Sequence, residues 1–135
     1  MLEVLSPAGS SDALVAAVQN GADAVYLGCG SFNARVNAKS FTLEQLHQWV
    51  SYCHIRGVKV YLTLNTLVLD RELKDVAREI LEASRAGVDA ILVQDLGVCQ
   101  LVRTLAPDVP IHASTQMAVH NLDGVLRAAE MGITR

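Results

Sequence analysis

No surplus of basic residues is present: 11 Lys and Arg stand against 14 Asp and Glu, a formal net charge of −3. That balance excludes a basic nucleic-acid footprint as the main theme. Long apolar runs are missing too, with stretches such as Ala13 to Val18 far below the roughly 20 residues needed to cross a bilayer. No transmembrane helix is available, so no membrane partner is expected. The opening Met1-Leu2-Glu3-Val4-Leu5-Ser6-Pro7 has neither the basic region nor the apolar stretch of a secretory signal. A cytoplasmic location is expected. Cysteine is sparse: Cys29, Cys53 and Cys99 lie 24 and 46 residues apart and form no C-x-x-C pair. An odd, scattered count speaks against a disulfide framework and against a zinc site, leaving three buried thiols as the expectation. The H-E-x-x-H, G-x-S-x-G, P-loop and Rossmann signatures are absent as well.

What the chain does have is apolar mass, 51% of 135 residues, against 19% charged, enough for a real core. One unit recurs: a helical stripe, a glycine, a short β-branched run and a polar cluster. It appears as Ala17-Val18-Gln19-Asn20-Gly21-Ala22-Asp23-Ala24-Val25-Tyr26-Leu27 and again as Ala83-Ser84-Arg85-Ala86-Gly87-Val88-Asp89-Ala90-Ile91-Leu92-Val93, with looser copies around Gly57 and Gly132. In each copy the glycine marks a helix end, where a left-handed residue without Cβ is unpenalised. Helix starts are equally explicit. Thr42-Leu43-Glu44-Gln45 reads as a capping box with Phe41 and Leu46 as its hydrophobic staple. Ser10 or Ser11, Asp70 and Asn121 are further caps, and Leu101, Val102 and Leu105 mark a helix before Pro107. The apolar stripe Leu73, Val76, Ala77, Ile80, Leu81 is expected to face inward, and Leu122, Val125, Leu126 and Ala129 mark a further helix before Gly132.

Strands are expected at Leu2–Leu5, Ala24–Leu27, Val58–Leu64, Ala90–Val93 and Ile111–Ser114, alternating with five helices. Strict alternation implies right-handed crossovers and a parallel sheet, so the class is α/β. Between Val58 and Asn65 the even positions are all aliphatic, whereas Lys59, Tyr61, Thr63 and Asn65 are polar or amphipathic. One apolar and one mixed face suits a (β/α)8 TIM barrel better than a doubly wound sheet, which is apolar on both faces. The four glycines are 36, 30 and 45 residues apart, so eight units would need about 300 residues. The expectation is therefore a single α/β domain over residues 1–135, about five βα units forming the N-terminal portion of a larger barrel. Its first and fifth strands, free of lysine and proline, would be open edges that drive a homo-oligomer, most simply a two-fold dimer.

In such folds the site lies in the loops after the strands. Here those loops are rich in amides and hydroxyls and poor in charge: Ser6–Ser10, Gly28–Arg35, Asn65-Thr66, Gln94–Gly97 and Ser114–Gln116. Asn33, Arg35, Asn65, Gln94, Asp95, Ser114 and Gln116 are the expected lining, with His112 and His120 beside them. Arg35, the one fixed cation of these loops, suits a carboxylate or phosphate, or pairs with a neighbouring helix. Gly28-Cys29-Gly30-Ser31 is an anion nest or a plain turn. Asp95 is a base, a metal ligand or a helix cap. His112 alternates with Ser114 and Gln116 on one face. Beside a serine, that histidine suggests a nucleophile, yet no third group orients it, and a polar barrel lining is the simpler reading. No carboxylate or histidine cluster has metal-ligand spacing, so recognition in this half is expected to be polar and metal-free.

Six ordered motifs carry a resemblance. Ser6-Pro7-Ala8-Gly9-Ser10, the Asn20–Gly28 segment, Phe32-Asn33-Ala34-Arg35, the Arg56–Thr66 segment, Val93-Gln94-Asp95-Leu96-Gly97 and His112–Met117 together resemble the N-terminal half of the collagenase-like peptidase family of unknown catalytic type, number thirty-two in that class. The resemblance implies hydrolysis of peptide bonds in an intact parent protein. Similar family members imply an alternative, hydroxylation of RNA bases or of a quinone precursor with an iron-sulphur cluster, so the substrate is peptide or RNA. The family's cysteine signature lies downstream of these motifs, and no cofactor is expected on Cys29, Cys53 or Cys99. A truncated, non-catalytic oligomerising fragment is the third reading.

Overall fold

A computed structural model describes residues 2–34 and 41–135. Five strands, β1 (Leu5–Pro7), β2 (Ala24–Gly28), β3 (Lys59–Leu64), β4 (Ala90–Val93) and β5 (Ile111–Ala113), alternate with α1 (Ser11–Gln19), α2 (Leu43–His54), α3 (Leu73–Ala86), α4 (Leu96–Leu105) and α5 (Leu122–Glu130). All neighbouring strands are parallel and lie in the order β1-β2-β3-β4-β5. A doubly wound sheet reverses its strand order at a switch point, whereas a barrel adds each strand beside the last. The order observed is that of a partial (β/α)8 barrel.

Alternation along β3 sorts the two faces as the sequence implies. Val60, Leu62 and Leu64 join Val25, Leu27, Ile91 and Val93 in the large core between sheet and helices. Tyr61 faces the other way, into a small cluster with Ala24 and Ala90, against which Leu5, Tyr26 and Leu92 pack. This second face is the inner wall of the partial barrel. At its lower end the Tyr61 hydroxyl donates to Glu3 Oε2 at 2.9 Å, Arg135 donates to Glu3 Oε1 at 2.5 Å, and the His112 ring stands edge-on to Tyr61 at 4.9 Å.

Local chemistry explains the helix boundaries. Ser10 accepts from Ala13 N–H, Asp95 from Gly97 and Val98 N–H, and Asn121 from Gly124 N–H, each satisfying donors that a helix start leaves unpaired. At α2, Gln45 Oε1 accepts from Thr42 N–H at 3.4 Å, and Phe41 packs edge-on against Trp49. Gly87 ends α3 at φ 81°, a left-handed geometry in which a Cβ is costly.

Several expectations shift. β1 begins at Leu5, not Leu2, because Val4 spends its N–H on Asp23 Oδ2 and its carbonyl on Asp23 and Ala24 N–H. Leu2 is left exposed, and Pro7 falls inside β1, where an edge strand tolerates a missing donor. Asp70 does not cap α3: it opens a 3-10 turn, Asp70–Glu72, in which Glu72 accepts from Leu69 N–H. Leu73 is exposed, and the buried stripe of α3 is Val76, Glu79, Ile80 and Ala83. On α5 the stripe turns outward: Leu122, Val125 and Leu126 are 71%, 53% and 53% exposed. Arg103 of α4 donates to the Met131 carbonyl at the end of α5. Finally, β5 is not an outer edge. Thr134 N–H donates to the Ile111 carbonyl and Ala113 N–H to the Arg135 carbonyl, so Ile133 to Arg135 continue the sheet.

Candidate functional site

A cleft of about 400 Å³ opens at the C-terminal ends of the strands. Its floor is inner-wall side chains, Leu5, Tyr26, Thr63 and Leu92, and its rim is Asn33, Asn65, Ser114 and Gln116. No charged side chain is among the lining residues described. Asn65, one residue past β3, ties the rim together. Its Oδ1 accepts from Ala34 N–H at 3.1 Å in the β2–α2 loop, and its Nδ2 reaches Ser114 Oγ at 3.5 Å beyond β5. Asn33 is 2% exposed and donates from Nδ2 to the Gly30 carbonyl at 3.2 Å. Gly28 makes room for it, since a Cβ there would lie 2.4 Å from Asn33 Cγ. Below the rim, Thr63 Oγ1 donates to the Leu27 carbonyl.

Ser114 does not have the surroundings of a nucleophile. Its hydroxyl accepts from Gln116 N–H as the cap of a 3-10 turn, Thr115–Met117, and meets the Asn65 amide. Neither neighbour is a base. His112 is on the inner wall in register with Leu92, its ring against Tyr61 and outside the cleft lining. Burial, reinforced by Arg135, lowers its pKa and so favours the neutral ring.

The other expected residues are placed as follows. Gln94 is half-buried at the end of β4 and is not in the lining. Asp95 is held as a cap, its second oxygen accepting from Val68 N–H at 3.3 Å. His120 is exposed, with Nδ1 against the Ala118 carbonyl at 2.8 Å; a carbonyl only accepts, so this nitrogen carries the proton. Arg35 lies outside the described residues. The Gly28–Ser31 segment does not make an anion nest: Gly30 N–H is used by the Phe41 carbonyl, and the Glu79 carboxyl lies beneath Gly30.

Three contributors were not among the residues expected from the sequence. Tyr26 and Thr63 line the floor; alternation along β3 places Thr63 on the mixed face, and Tyr26, on the neighbouring β2, is in register with Tyr61. Glu79 is 3% exposed on the buried stripe of α3. The signal for it was available, since position 79 is three residues after Val76 and four before Ala83.

An iron-sulphur cluster does not fit this chain's thiols. Cys29, Cys53 and Cys99 are free, fully buried and dispersed through the apolar core. Burial pushes Cys29 up to about 12 and Cys53 up to about 11, away from the thiolate a cluster requires. Among the described residues no three His, Cys, Asp or Glu side chains are grouped to hold a metal ion.

Comparison with known proteins places this geometry. The chain is 47% identical over 122 residues to an uncharacterized protease of Methanocaldococcus jannaschii, covering 90% of this chain and 29% of that protein. It is 37% identical over 134 residues to the 23S rRNA 5-hydroxycytidine C2501 synthase of Escherichia coli, covering 99% of this chain and 20% of the synthase. The chain thus spans less than a third of the length of these curated relatives. The solved structure of a U32 peptidase superposes with a TM-score of 0.78 at 18% identity, over 98% of this chain and 56% of that one, a likeness of fold. The model of Peptidase family U32 matches residues 9–135. With nearly the whole chain matched and the cleft formed by the same motifs that suggested the resemblance, this chain belongs to peptidase family U32.

Proposed function

We propose that this chain is the base-recognising portion of a longer RNA-hydroxylating member of the family. One observation carries the reading: the cleft is rimmed by amides and hydroxyls, floored by apolar and aromatic side chains, and lined by no charged residue among those described. Unstacked nucleobases are recognised by amide hydrogen bonds to their edges and by packing against rings such as Tyr26. The rim supplies Asn33, Asn65 and Gln116 for the first task. Peptide hydrolysis needs an activated nucleophile or metal-bound water, and the surroundings of Ser114 provide no base for it. The 37% identity to an rRNA hydroxycytidine synthase supports the same reading. The net charge of −3 does not oppose it: a neutral base needs no cation, and phosphate contacts belong to the remainder of the parent. So does the cluster, for which the thiols here are unsuited.

Peptide hydrolysis is the second reading, favoured by the 47% identity to a protein named as a protease. The deciding experiment deletes the parent gene and compares nucleosides from total RNA by mass spectrometry. Loss of a nucleoside heavier by one oxygen, restored by the intact gene, is the expected result. Unchanged RNA, together with cleavage of peptides by the purified parent, would overturn the proposal in favour of the protease.

A further inference from the structure

Glu79 is the one side chain in the described structure with a buried polar atom lacking a hydrogen-bond partner: Oε1 is enclosed and unmatched. It projects from α3 against the turn that follows β2. A Cβ on Gly30 would fall 2.6 Å from Oε2 and 3.0 Å from Cδ, so the carboxyl packs directly on that backbone. Gly30, at φ 64°, is held by the Phe41 carbonyl through its N–H and by the Asn33 amide through its own carbonyl. The turn is therefore clamped between the rim of the cleft on one side and a buried acid on the other.

We propose that Glu79 is a positioning residue for the cleft, its neutral acid group supporting Gly30 and, through the Gly30 carbonyl, setting where Asn33 sits. An unpaired carboxylate in this enclosure would be expensive, whereas the uncharged acid fits. Among the described residues, the groups acting on the site are Arg78 on the same helix, the Cys29 thiol of the turn, and Glu44 at the start of α2, which acts on Cys29. Arg78 is exposed, and its pull toward the charged form is outweighed by burial, which pushes Glu79 up to about 8. Ionisation then takes place in mildly alkaline solution. It places a charge against the turn, and the carboxylate escapes toward water only if the turn moves. Asn33 moves with it, so the cleft loses one of its amides without any change at the cleft itself. This does not depend on which substrate the cleft takes.

The test is NMR of the protein carrying labelled glutamate carboxyl carbons and asparagine side-chain amides, titrated from about pH 5 to about pH 9. The Glu79 carboxyl should titrate with a midpoint near about 8, and the Asn33 side-chain amide should shift with the same midpoint. In Glu79→Gln, which keeps the shape of the neutral acid, the Asn33 amide should hold its low-pH position throughout. A Glu79 midpoint near the ordinary 4.5, or an Asn33 amide indifferent to it, would overturn the proposal using the unaltered protein alone. So would displacement of the Asn33 amide at low pH in Glu79→Gln. None of these readouts uses RNA or peptide, so they stand apart from the test of function.

Discussion

Asp95 and Glu79 are both single acidic side chains, and surroundings give them opposite roles. Asp95 accepts three backbone hydrogen bonds, two at the start of α4 and one from Val68. Asp95→Ala should therefore lower stability by about 1–2 kcal/mol, the usual cost of a lost cap, while Asp95→Asn should cost less; urea unfolding measures both. Glu79 carries a pH dependence whose sign is fixed. Its folded-state value, raised by burial to about 8, stands above the ordinary 4.5. Below the lower value both states hold the proton; between the two, only the folded state does, so stability falls as pH rises and levels off above the folded value. The slope of this contribution is at most about 1.4 kcal/mol per pH unit. Urea midpoints measured across that window should decline for the wild type and flatten for Glu79→Gln. In the cleft, Asn65→Ala removes the side chain that joins the Ala34 backbone to Ser114. If RNA is the substrate, a lost base contact worth about 1–3 kcal/mol should weaken binding of an RNA oligomer to the parent protein roughly five- to 150-fold. Fluorescence anisotropy reports it. Of these residues, Asp95 as a cap and Asn65 in the rim were legible from position alone. The burial of Glu79 was open to reading from its place on the α3 stripe, but its unpartnered oxygen was not, because periodicity tells which face a residue occupies and not whether a carboxyl there finds a partner.

At the scale of elements, the repeated glycine does what its position implies. Gly87 sits at φ 81° with open space where a Cβ would be, whereas Gly30, at φ 64°, meets the Glu79 carboxyl. Gly87→Ala should accordingly cost about 1 kcal/mol from backbone conformation alone, and Gly30→Ala should cost distinctly more by thermal or urea melts. Equal losses would remove the argument for a carboxyl packed under Gly30. The helix starts at Ser10 and Asn121 and the alternation of β3 were readable because they rest on interactions within a few residues. β1 was misplaced because Val4 is diverted by Asp23, 19 positions away. Asp70 was misread because a 3-10 turn, Asp70–Glu72, precedes α3, so the helix begins further along the chain at Leu73.

For the whole molecule, the open question is what meets the outward stripe of α5, Leu122, Val125 and Leu126. The expected two-fold partner remains a proposal, relocated from the sheet edges, since Ile133 to Arg135 cover β5 and Pro7 interrupts β1. We expect the isolated 135-residue chain to self-associate through that stripe, with Leu122→Glu and Val125→Glu together shifting light-scattering mass toward a single chain while leaving the urea midpoint nearly unchanged. A concentration-independent monomer for the unaltered chain would dismiss the idea. The sequence by itself determined the α/β class, the parallel sheet, the helix ends and the two unlike faces of β3, since each follows from short-range capping, periodicity and the handedness of crossovers. Only the tertiary structure decided that Asn33, Asn65, Ser114 and Gln116 share one cleft while Asp95, His112 and His120 do not, and that α5 turns its apolar stripe outward. Those outcomes depend on strand register and on which neighbours a surface meets, and contacts such as Asn65 to Ser114, 49 residues apart, leave no local trace in the chain.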